Sequence, residues 1–171
     1  MTLRLILTRH AKSGWDDPLL DDHSRYLTSR GVRAAGAIGQ WLVENGHKPD
    51  LILCSDAKRT RQTCSLITTE FDGAVDTNFV PALYLASPDV MLKELQKAGE
   101  TQVVMMVAHN PGTALTAGGL TSTQPTHPDF ERYPTCATTI LEFAAEDWSS
   151  VTWGHGKVLD FVVPRGLTKS R

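Results

Sequence analysis

The sequence predicts an α/β fold: a three-layer α/β/α sandwich on a largely parallel sheet with an antiparallel edge. Three observations carry this. Short apolar runs at 3–7, 51–54 and 103–107 are separated by stretches with helical apolar spacing, as in strands joined by crossover helices. The run Val103-Val104-Met105-Met106-Val107 has no polar interruption, which suits a central strand covered on both faces. Two further β-rich runs, 136–143 and 158–163, come late in the chain and are placed to pair antiparallel at a sheet edge.

With 171 residues, the chain fits one domain, 1–171, with a real core. Seventeen Lys and Arg against nineteen Asp and Glu give a net charge of -2, so no bulk field draws in nucleic acid or an anionic membrane. Cys54, Cys64 and Cys136 are far apart and form no Cys-x-x-Cys pair, which argues against zinc and for reduced thiols in the cytoplasm. The apolar run opening near Met1 leaves no room for a signal peptide, and no run reaches membrane-spanning length.

The first strand stops on Arg9-His10. In open α/β sheets, ligands bind at that carboxyl edge. A polar loop, 14–26, follows with Asp16, Asp17, Asp21, Asp22, His23 and Arg25, and it lacks the spacing of a calcium-binding loop. Thr28 is the expected N-cap of a helix carrying Val32, Ala35, Ile38 and Leu42, and Asn45-Gly46 stops it. After the second strand, Ser55-Asp56 reads as a helix start, with Thr60, Cys64 and Ile67 on the inner face. Lys58, Arg59 and Arg61 stand near that N-terminus, where a helix dipole disfavours cations. Lys58 and Arg61 read as solvated. For Arg59, a solvated side chain and an anion ligand both fit the local sequence.

Residues 79–80 read as a short strand and 81–86 as an irregular link containing Tyr84. Ser87-Pro88-Asp89 is a strong helix start, Met91, Leu92 and Leu95 face inward, and Gly99 ends the helix. The central run stops on His109-Asn110-Pro111-Gly112, before a short helix at 113–118. Two buried strands thus each deliver a histidine to the same kind of edge. The Thr- and Pro-rich segment 121–134 reads as a surface loop with His127 exposed, and 165–171 as a short basic tail that frays.

Taken in order, these motifs resemble the histidine phosphatase superfamily, which is phosphoglycerate mutase-like in fold, and within it the SixA-type phosphohistidine phosphatases. The residues that carry the resemblance are Arg9-His10-Ala11, where the family pattern is Arg-His-Gly; Ser55-x-x-x-Arg59-Thr60-x-Gln62-Thr63; and Ala108-His109. The segments Asp22-x-x-Arg25-x-Leu27-Thr28-x-x-Gly31 and Leu83-Tyr84-x-Ala86-Ser87 extend it over nearly the whole chain.

The resemblance implies a phosphatase that passes a phosphoryl group through covalent His10. Arg9, Arg25 and Arg59 would hold the phosphate oxygens, with His109 as a second histidine donating to the same group. It implies no metal and no cofactor, because arginines neutralise the charge of a transferred phosphoryl group. The substrate class implied is a phosphohistidine protein, with a small phosphate ester or a silent phosphate-binding module as alternatives. Other branches place an acid after the second histidine or near Tyr84. Here those positions hold Asn110-Pro111 and no carboxylate. Asp16 stands where mutase-like branches have asparagine; it would repel phosphate and is expected to point elsewhere.

Overall fold

In the computed structural model, which describes residues 2–168, six strands form one sheet. They are β1 (Thr2–Arg9), β2 (Leu51–Cys54), β3 (Asp76–Phe79), β4 (Val103–Ala108), β5 (Thr138–Ala144) and β6 (Lys157–Val162). The order is β3-β2-β4-β1-β5-β6. The first four are parallel, and β5 and β6 add the antiparallel edge.

Five helices accompany the sheet: α1 (Ser29–Glu44), α2 (Lys58–Thr68), α3 (Pro88–Gln96), α4 (Gly112–Leu120) and α5 (Pro164–Thr168). Strand periodicity sorts the core into two clusters, one on each face of the sheet. Leu5, Leu7, Val104 and Met106 pack with Met91, Leu95, Ala117 and Leu120 of α3 and α4. Ile6, Ile52, Met105 and Val107 pack with Ala35, Ile38 and Leu42 of α1 and Cys64 and Ile67 of α2. Each fully buried aliphatic side chain contributes about 1.5–3 kcal/mol, so the two faces together supply most of the driving force for the layered arrangement. No helix among the described residues is long and apolar enough to cross a membrane.

The caps are local and explicit. The Thr28 hydroxyl accepts from the Gly31 amide at 3.1 Å, and Ser87 accepts from the Val90 amide at 3.4 Å. Gly31 is required for packing: a Cβ there would stand 2.2 Å from the Lys12 carbonyl oxygen. The first turn of α1 is therefore pressed against the backbone that leaves β1, and the Thr28 amide donates to that same carbonyl at 2.9 Å.

Four expectations are corrected. Val32 is exposed; the inner face of α1 is Gly31, Ala35, Ile38, Gly39 and Leu42. The helix read as starting at Ser55-Asp56 begins later, at Lys58, with Ala57 as an N-cap that makes no side-chain bond, and the Ser55 hydroxyl faces His109. The 121–134 segment is not only surface: Phe130 is buried and Tyr133 fully so. Of the basic tail, residues 165–168 lie in α5, which packs on α1, while 169–171 lie outside the described residues.

Candidate active site

Register alone brings the two histidines together. Arg9 of β1 pairs with Ala108 of β4, so His10 and His109 leave adjacent strands side by side. Their ring centroids are 5.3 Å apart. Cys54 of β2 is level with Val107 of β4, which places Ser55 beside His109. The Ser55 hydroxyl lies 2.7 Å from His109 Nε2.

A cavity of about 310 Å³ opens over this edge. Arg9, His10, Arg25, Arg59 and His109 all line it. The chain thus gathers into one concavity every residue singled out from its sequence as a site residue. Asp16 is exposed and lies off the cavity.

The geometry fixes the tautomer of His10. Its Nδ1 lies 2.7 Å from the Ala11 carbonyl oxygen. A carbonyl only accepts, so Nδ1 carries the proton and Nε2 keeps its lone pair. The Ala11 amide donates to Thr63 Oγ1 at 2.9 Å, and that hydroxyl donates to the Arg59 carbonyl at 2.8 Å, which ties the end of β1 to α2. The Ala11 methyl, in place of the family's glycine, is buried in the core. Burial lowers His10 to about 3, against the opposing pull of the Ala11 carbonyl, and the charges of Arg59, Arg9 and Arg25 lower it further. The ring is neutral at pH 7.

His109 is also held neutral. Burial, then His10 and Arg59, bring it to about 3. Ser55 is fully buried and accepts from the Ala57 amide at 3.4 Å. The described residues offer its hydroxyl proton no other acceptor than His109 Nε2, so Ser55 donates and Nδ1 of His109 is the N–H. That Nδ1 is buried with no protein partner among the described residues, and so are Arg9 Nε and Arg59 Nε. Leaving a buried donor unsatisfied costs about 1–3 kcal/mol. These three atoms belong to residues that line one cavity, together with the lone pair on His10 and the guanidinium of Arg25.

Asp22, read from the sequence as one of the loop aspartates and as the head of the Asp22-x-x-Arg25 segment but given no site role there, is a further residue of the cavity. It caps no element of its own; it lies in a 3-10 turn (Asp22–Ser24) over the cavity. Its Oδ1 accepts from Arg25 at 3.1 Å, its Oδ2 from Arg59 at 3.0 Å, and Tyr84 donates to Oδ2 as well. Burial pulls the carboxyl upward, but hydrogen bonds from Tyr84 and Arg59, and the Arg59 charge, outweigh it and hold it at about 2. The i,i+3 spacing of Asp22 and Arg25 was the available signal. Arg25 also donates to Ser13 Oγ at 2.8 Å and lies 3.6 Å over the ring of Trp15.

The 121–134 segment braces the opposite wall. The Tyr133 carbonyl accepts from Arg9 at 3.1 Å and from Asn110 Nδ2 at 2.9 Å. Its phenol donates to the Leu7 carbonyl at 2.6 Å. Asn110, at the position where other branches keep an acid, is thereby occupied in structure: its Oδ1 also accepts from the Ala114 amide at the start of α4. Three non-glycine residues with positive φ border the site, namely Leu85 (49°), Tyr133 (50°) and Cys136 (63°). Such backbone strain persists where the surroundings over-determine it, which is common at functional sites.

The profile of the histidine phosphatase superfamily (branch 1) matches residues 5–83. An uncharacterized protein of Mycobacterium tuberculosis is 35% identical over 163 residues, covering 92% of this chain and 99% of the relative. A putative phosphohistidine phosphatase SixA from Nakamurella multipartitia superposes with a TM-score of 0.81 at 28% identity, covering 96% of this chain and 97% of the other. The putative SixA from Agrobacterium tumefaciens does so with 0.78 at 28%, covering 95% and 98%. With paired histidines at adjacent strand ends and arginines around them, the chain belongs to the histidine phosphatase superfamily and is a phosphatase of that type with the SixA fold.

Proposed function

We propose that this phosphatase hydrolyses phosphohistidine on a protein through a covalent intermediate at His10. In the first step, Nε2 of His10 attacks phosphorus and the bond from phosphorus to the substrate's imidazole nitrogen breaks. The three phosphoryl oxygens are held by Arg9, Arg59 and the His109 Nδ1–H, with Arg25 completing the cationic wall. In the second step, water attacks phosphorus, the bond to Nε2 breaks, and inorganic phosphate leaves with neutral His10 restored.

The observation that carries the substrate class is the state of Asp22. It is the carboxylate in the cavity, and at about 2 it is ionised at neutral pH. It has no proton to give a leaving group. A sugar or serine alkoxide needs one, whereas an imidazole protonated on its other nitrogen departs as a neutral base. A small-molecule phosphomonoesterase would need a loop carboxyl that stays protonated, and Asp22 is held in the opposite state. The 28% identity to two putative SixA phosphohistidine phosphatases supports the same reading.

We read residues 1–171 as one domain, since both core clusters lie on the same sheet. The three buried free cysteines favour a cytoplasmic setting. The test is phosphate release from a histidine-phosphorylated carrier protein beside a panel of phosphate monoesters, with His10→Ala in parallel. Preferential release from phosphohistidine, abolished by the substitution, is expected; faster turnover of a monoester would overturn the substrate class.

A further inference from the structure

Beside the active cavity lies a second, larger groove of about 600 Å³. Lys12 and Thr135 line both, so the groove opens directly from the site. Its charged lining is Lys12, Arg30, Arg33, Arg132 and Arg165 against the single carboxylate of Asp129. Asp129 pairs with Arg132 at 2.5 Å. Among the described residues, Lys12, Arg30, Arg33 and Arg165 have no carboxylate partner. This concentration of cations lies on a chain whose net charge is -2.

The placement of Arg30 and Arg33 works against local stability. Both sit at the start of α1, whose first turn has no acid. Anions there gain about 0.3–1 kcal/mol from the helix dipole, and cations lose it. Both side chains are exposed, so neither fills the core. Gly31 between them clamps this turn onto the Lys12 carbonyl, which fixes the arginines next to the mouth of the active cavity. At the same mouth, Trp15 is 73% exposed and Leu85 is 55% exposed.

We propose that the groove formed by Arg30, Arg33, Arg132, Arg165 and Lys12 is the docking surface for an acidic face of the phosphoprotein substrate, beside its phosphohistidine. This rests on the phosphohistidine reading above. Apolar contact at Trp15 and Leu85 would sit over the reacting group, while the cations steer and orient the partner. Charges at such a rim act mainly on encounter rate and on its salt dependence.

The test is the double variant Arg30→Glu/Arg33→Glu, whose new carboxylates suit the helix N-terminus and leave the catalytic cavity intact. Two readouts are used. The first is kcat/KM for a histidine-phosphorylated acidic carrier protein and for phosphoimidazole. The second is fluorescence anisotropy of a labelled, unphosphorylated glutamate-rich peptide, with inorganic polyphosphate as a competing probe. The expected result is about a tenfold or larger loss on the carrier protein at low salt, with a flatter salt dependence and unchanged phosphoimidazole turnover. Peptide binding weakens in parallel. Equal losses on both substrates, or no loss on the carrier, would overturn the proposal. So would polyphosphate binding without peptide binding. Should the wild-type protein prefer monoesters, the phosphohistidine reading fails, and peptide binding still decides whether the groove takes acidic protein surfaces.

Discussion

The Asp22 carboxylate bridges Arg25 and Arg59, one oxygen to each guanidinium, at 3.1 and 3.0 Å. It therefore orients both cations and also competes with any anion that enters. Asp22→Asn keeps the shape and removes the charge. The variant is expected to bind inorganic phosphate more tightly and to lose about tenfold or more in kcat, since misdirected guanidiniums cost positioning. Product-inhibition constants and steady-state rates measured together check this. Weaker phosphate binding would contradict the competing role.

Ser55 acts through His109. Removing its hydroxyl by Ser55→Ala frees Nε2 of His109 to take the proton, which removes the Nδ1 donor. The expected loss is about tenfold or more in kcat, with KM little changed, as for one lost donor to developing charge. Ser55→Thr, which restores a hydroxyl, should recover part of it. A change confined to thermal stability would assign Ser55 a structural role only.

The two buried histidines make the fold sensitive to acid. Unfolded histidine takes up a proton below about 6.5, whereas His10 and His109 in the fold stay neutral down to about 3. The unfolded state binds more protons between those values, so stability is full above 6.5 and falls as pH drops toward 3. At pH 4.5 each histidine costs about 2–3 kcal/mol. Urea unfolding at pH 7.5 and pH 4.5 should show this loss, reduced in His10→Asn and His109→Asn. Equal pH dependence in wild type and variants would refute it.

Tyr133→Phe removes a buried hydroxyl that reaches the Leu7 carbonyl and Thr139 Oγ1. The expected cost is about 1–3 kcal/mol in urea unfolding. Activity falls only modestly, because the carbonyl that holds Arg9 and Asn110 is unchanged.

Much of this arrangement was legible in the chain. Thr28 and Ser87-Pro88 announce their helices because capping is a short-range chemistry. Arg9-His10 and Ala108-His109 are visible because each stands at the end of a strand, and parallel pairing makes those ends neighbours. What the linear pattern hides depends on partners far away in sequence. Ser55 looks like a helix start until β2 is placed beside β4, which presents His109 to it. Tyr133 sits in a segment with loop composition, and only its contacts with Leu7 and Arg9 show that it braces the site. Asp22 is one of four similar aspartates in its loop, distinguished by where Arg59 and Tyr84 arrive in space.

The central claim is that His10 carries the phosphoryl group. Rapid quench of the enzyme with a histidine-phosphorylated substrate should trap a phosphoenzyme that is labile in acid and stable in alkali, located at His10 and missing in His10→Ala. Phosphate release from substrate by His10→Ala, or a trapped phosphoryl group on any other residue, would contradict the account.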